Sequence, residues 1–100
     1  MAAEYREYVA QDVRRIILEE LAGQPDYRLN ETLLLRVIEL HGHRKSRDYL
    51  RDQLRWLEGM GAVSVHETGP LWIAEITERG RDHAERRVVI EGIARPGPGV

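Results

Sequence analysis

Residues 46–80 read "SRDYLRDQLRWLEGMGAVSVHETGPLWIAEITERG", and their periodicity changes twice. Leu50, Leu54 and Leu57 recur at helical spacing, so one stripe of a third helix faces a core. Ser46 stands before it as an N-cap, because its hydroxyl oxygen accepts from a free amide of the first turn. Glu58-Gly59 ends the helix. Residues 62–67 ("AVSVHE") then alternate, with Val63 and Val65 on one side. Thr68-Gly69-Pro70 is a turn, and residues 71–76 ("LWIAEI") form a second strand. Two such runs around a glycine turn predict a β-hairpin. Thr77 caps a last helix over about 78–87.

Upstream, Tyr5, Val9, Val13, Ile16, Ile17 and Leu21 predict a helix over 5–22, with Glu7, Arg14, Arg15 and Glu19 on its other side. Gly23 and Pro25 stop it. Residues 27–29 are a short extended segment. Asn30 caps a second helix that carries Leu33, Leu34, Val37 and Ile38 to His41-Gly42. The order is helix, short strand, helix, helix, hairpin, helix. That is the order of a winged helix-turn-helix, an α+β fold with a three-helix core, a hairpin wing and a C-terminal helix. A generic α+β domain is the alternative. The domain is expected over 1–93. Residues 88–93 ("VVIEGI") are apolar and ambiguous, and the Pro/Gly-rich 94–100 ("ARPGPGV") is expected to be a flexible tail.

The chain has 100 residues, 42% hydrophobic and 32% charged, enough for one modest core. It has no Phe, so the core leans on Leu, Ile and Val. No cysteine is present, which excludes disulfides, thiolate metal sites and Cys nucleophiles and fits a reducing cytoplasm. The first dozen residues lack the apolar run of a signal peptide, and no segment nears the ~20 apolar residues of a membrane span. A cytoplasmic protein without membrane contact is expected.

Three stretches carry a family resemblance. "LEGMGAVSV" (57–65) and "IAEITERGRDHA" (73–84) resemble the passage through the wing into the final helix of ArsR-, MarR- and PadR-like proteins. In that pattern Thr77 caps the helix and Gly80 lets it approach the sheet closely. "EYVAQDVRRIILEELAGQPDYRLNETLL" (7–34), "HGHRKSRDYLRDQLRWLEGMGAV" (41–63) and "IARPGP" (93–98) together resemble small winged-helix, ArsR-like proteins of Mu-like phages and prophages. The resemblance implies a phage-encoded cytoplasmic protein from the gene neighbourhood of the packaging terminase, with no settled function. A homodimer through the first and last helices is the arrangement common in winged-helix proteins.

Residues 41–55 hold five cations against two carboxylates, a local +3 in a chain of net charge −2. Arg47, Arg51 and Arg55 lie four apart beside the leucine stripe. With Arg44, Lys45 and Ser46 at the helix entry, they are the candidate residues for contact with double-stranded DNA. Asp48 and Asp52 allow another reading, in which they pair with Arg51 and Arg55 on a solvated or protein-binding face. A phage packaging or assembly partner is then expected instead of DNA. The wing tip, His66 to Pro70, carries no fixed positive charge. Trp56 falls off the leucine stripe, and both tryptophans read as packing residues. His41 and His43 lack further spaced ligands, so no metal site is expected. No nucleophile–base spacing and no phosphate-binding glycine loop appear, so neither catalysis nor a cofactor is expected.

Overall fold

The computed structural model describes residues 2–97. The elements are α1 (Ala2–Ala22), β1 (Arg28–Asn30), α2 (Glu31–Leu40), α3 (Arg47–Gly59), β2 (Val63–Thr68), β3 (Leu71–Ile76) and α4 (Glu78–Ala84). The result is an α+β domain with a three-stranded antiparallel sheet in the order β1-β3-β2. Leu29 and Val65 flank Ala74 from either side in the register.

Local chemistry sets the helix starts. Asn30 Oδ1 accepts from the Leu33 amide at 2.9 Å, and Ser46 Oγ from the Tyr49 amide at 3.0 Å. Thr77 Oγ1 accepts from the Gly80 amide at 3.1 Å and donates to the Gly61 carbonyl at 2.6 Å. All three expected caps are therefore in place. The last cap also ties α4 to the loop that leads into the hairpin.

The core forms where the apolar stripes meet. Val13, Ile16, Ile17 and Leu21 of α1 pack with Leu34 and Ile38 of α2 and with Leu50, Leu54 and Leu57 of α3. Val63, Ala74 and Ile76 close it from the sheet. Each fully buried Leu or Ile contributes roughly 1.5–3 kcal/mol. α4 lies unusually close to this layer. A Cβ built on Gly80 would stand 2.2 Å from the Ala62 carbonyl oxygen and 2.7 Å from Ile76 Cγ1.

Three details differ from the reading of the sequence. First, α4 stops at Ala84, short of the expected 87. Arg86 takes a left-handed φ of 67°, and the amides of Arg87 and Val88 both return to the Asp82 carbonyl. The chain is turned back before another helical turn forms. Second, Arg14 is buried rather than solvent-facing. Its Nε donates to Gln53 Oε1 at 2.7 Å, its Nη1 to the Gly92 carbonyl at 2.8 Å, and its guanidinium lies 3.8 Å from the Trp56 ring centroid. Third, the ambiguous 88–93 segment divides: Val88 and Val89 are exposed, while Ile90 and Ile93 are buried in the chain's own core.

His83 fastens this returning segment. It is buried, its Nδ1 accepts from the Ile90 amide at 3.0 Å, and its Nε2 lies 3.0 Å from the Ala94 carbonyl. A carbonyl only accepts and an amide only donates, so the ring is the neutral Nε2–H tautomer. The Ala94 amide donates in turn to the Gln11 carbonyl of α1. Of the expected 94–100 tail, residues 98–100 lie outside the described residues; Pro96 is buried. Among the described residues, no helix is long and apolar enough to cross a membrane.

Candidate nucleic-acid interface

The helical repeat places Arg47, Arg51 and Arg55 in one row on α3. The structure then sets each of them against a carboxylate. Glu31, the first residue of α2, is fully buried directly beneath the row. Arg51 grips it as a fork: Nε donates to Oε1 and Nη2 to Oε2, each at 2.7 Å. Arg51 Nη2 also donates to the Pro70 carbonyl at 2.9 Å, reaching the hairpin turn. The Trp72 amide donates to Glu31 Oε2 at 2.8 Å. Arg47 adds a longer contact to the same oxygen at 3.3 Å and donates to Thr32 Oγ1 at 3.3 Å. One carboxylate thus ties α2, α3 and β3 together.

Arg55 is held at the other end of the row. It pairs with Glu58 at 2.8 Å and with Glu67 of β2. Glu58 also accepts the Val65 amide at 3.1 Å, so it too bridges α3 and β2. That amide and then Arg55 hold the Glu58 carboxyl below the usual carboxylate range. The guanidinium groups of Arg51 and Arg55 each lie 4.4 Å from the Trp72 ring centroid. The ring keeps both cations in place by its negative face as well as by contact.

The helix entry is different. Arg44 is 91% exposed, with Glu39 near it at 3.5 Å. The Lys45 ammonium lies 4.8 Å from the Tyr49 ring centroid, and Arg47 remains exposed beside the Ser46 cap. The six sequence candidates therefore divide. Arg44, Lys45 and Arg47 stand open at the entry, Ser46 caps the helix, and Arg51 and Arg55 act as struts. Asp48 and Asp52 form no ion pair among the described residues; the pairing acids are Glu31, Glu58 and Glu67 instead. These three carboxylates cancel the +3 of residues 41–55. The hairpin tip is tight, with Gly69 at a φ of 60° and no cation. His41 Nδ1 meets the Val37 carbonyl, whereas His43 pairs with Asp12 at 2.7 Å.

Glu31 is the residue that sequence reasoning missed. An acid directly after an N-cap reads as a complement to the helix dipole. Its burial depends on α3 and β3 crossing it, which no local pattern announces. The Arg51 hydrogen bonds hold its carboxyl down; burial opposes them, and the Trp72 amide and the charges of Arg51 and Arg47 add to them, leaving the pKa at about 2. A carboxyl depressed on folding stabilises the fold above its unfolded pKa, and that stabilisation is lost as pH falls through the folded value. The expected result is a decline in stability between about pH 5 and pH 2, on the order of 3 kcal/mol from this group. Urea melts at stepped pH read it directly, and Glu31→Gln should flatten the decline.

No family model matches the chain, and no solved structure matches it. It is 33% identical over 90 residues to uncharacterized protein gp26 of Escherichia phage Mu, covering 90% of this chain and 93% of that protein. It is also 33% identical over 76 residues to an uncharacterized protein of Haemophilus influenzae, covering 75% of this chain and 74% of that one. Identity at this level along nearly the full length of both chains places the protein in the same family as gp26 of phage Mu.

Proposed function

We propose that this phage-family protein is a winged helix-turn-helix module that contacts duplex DNA through the entry of α3, without catalysis and in the host cytoplasm. The element order and the hairpin after α3 support the winged-helix reading. One observation carries the DNA reading: Arg44, Lys45 and Arg47 stand exposed within four residues at a capped helix N-terminus, where amides and dipole also favour a phosphate. Arg51 and Arg55 stiffen the face and leave the contact to the entry. Tyr5 and Tyr8, both exposed on the first turns of α1, support pairing of two copies through that helix.

Three available cations make a weak, salt-sensitive contact. A plot of log affinity against log salt should have a slope of about −3, with affinities in the range of ~10⁻⁴–10⁻⁶ M. Replacing Arg44, Lys45 and Arg47 together by alanine should abolish binding and lower the melting temperature far less than loss of Glu31, because the Arg51 fork on that carboxylate stays in place. A wild-type protein that ignores duplex DNA even at low salt removes this reading. The second reading, a packaging or assembly adaptor that docks a phage protein on the same face, would then stand. The cancelled charge of the arginine row and the cation-free hairpin tip favour it.

A further inference from the structure

A second basic site lies away from α3, where the chain turns back after α4. His83, Arg86, Val88, Val89, Arg95 and Pro96 line a cleft of about 190 Å³. Small-molecule sites usually run to ~300–1,000 Å³, so this one has room for one or two side chains rather than a nucleotide or cofactor.

The charges in the cleft are unbalanced. Arg87 next to it pairs with Asp82 and Glu85. Arg86 and Arg95 are exposed, and among the described residues neither has a carboxylate partner. Most other arginines of the chain, including Arg15, Arg28, Arg51 and Arg55, do have one. His83 supplies no free ring nitrogen, since the Ile90 amide and the Ala94 carbonyl use both. An anion here is therefore held by the two guanidinium groups alone. Val88 and Val89 stand beside them, 38% and 58% exposed.

The backbone adds an independent sign. Arg86 sits at the left-handed position that ends α4, with φ 67°. Glycine is the usual residue there, because a Cβ is strained in that conformation. The chain keeps a side chain at this position, and that side chain lines the cleft.

We propose that this cleft docks an acidic peptide segment of a partner protein, with one carboxylate between Arg86 and Arg95 and an aliphatic neighbour on Val88 and Val89. The test follows backbone amide shifts of Arg86, Val88, Val89 and Arg95 by NMR during titration. The probes are a capped tripeptide of leucine, glutamate and valine, its glutamine counterpart, inorganic phosphate and a short DNA duplex. The glutamate peptide should saturate these shifts with a Kd on the order of 1 mM. Losing one charge-assisted contact costs about tenfold, so the glutamine peptide should bind that much more weakly. Arg86→Gly and Arg95→Gln should each weaken the glutamate peptide to a similar degree. Arg86→Gly relieves the left-handed strain, so its fold must be at least as stable as wild type; Arg95→Gln gives the same reading without any backbone change.

Equal response to both peptides, or none up to about 10 mM, overturns the proposal. Stronger shifts of these amides by phosphate or DNA also overturn it, and assign the cleft to phosphate. Concentration-dependent shifts without any probe, lost in Arg86→Gly, overturn it in favour of a second copy of the chain.

Discussion

Glu31→Ala is expected to lower the free energy of unfolding by about 3–5 kcal/mol, the usual cost of removing one partner from a buried ion pair. The carboxylate receives the Arg51 fork, the Trp72 amide and the longer contact from Arg47. Without it, that amide loses its side-chain acceptor and the two guanidinium groups lose their shared counter-charge at once. For a domain near this size the loss corresponds to roughly 15–30 °C in melting temperature. Urea denaturation of Glu31→Ala, Arg51→Met and the double variant separates the contributions. The double variant should be less damaged than the sum of the singles, because it leaves no lone charge. Additive losses would show that the pair does not couple α2 to α3.

Gly80→Ala should cost about 3 kcal/mol or more, although alanine favours a helix over glycine by about 1 kcal/mol. The sign is decided by space. The new methyl would stand 2.2 Å from the Ala62 carbonyl oxygen, and backbone there does not swing aside as a long side chain would. α4 must lift from the sheet, stretching the Thr77–Gly61 hydrogen bond. Gly59, the last residue of α3, has open space at its Cβ position. Gly59→Ala should therefore be neutral or stabilising by up to about 1 kcal/mol. Thermal melts of the two variants side by side make the comparison. A Gly80→Ala protein as stable as wild type would mean that α4 packs less tightly than described.

The elements were legible because their signals are local. Asn30, Ser46 and Thr77 each cap the helix that follows, and Leu50, Leu54 and Leu57 face the core as their spacing requires. β1 begins one residue later than expected and α1 earlier, the ordinary uncertainty at element ends. The electrostatics of the arginine row were not legible. Spacing along α3 offered Asp48 and Asp52 as partners, whereas two of the three acids that hold the row, Glu31 and Glu67, come from α2 and β2. Which acid a cation meets is decided by tertiary crossing, and a helical wheel holds no information on that. Arg14 was misplaced for the same reason. It lies on the polar side of the α1 pattern, yet α3 and the segment after α4 close over it.

The strap formed by Ile90, Ile93 and Ala94 on α1 has a consequence for synthesis. The helix made first is completed by residues made some eighty positions later, so the core stays open on one side until that strap has left the ribosome. The contact of the strap with α1 must wait for the strap itself, whereas the hairpin forms from segments adjacent in sequence. A nascent chain that has already delivered α1 through β3 still exposes the apolar ground under Ile90, and Trp56 still lacks the glycine that packs against it. Chaperone demand and proteolytic risk are therefore concentrated in that interval of translation, and they end when the strap arrives.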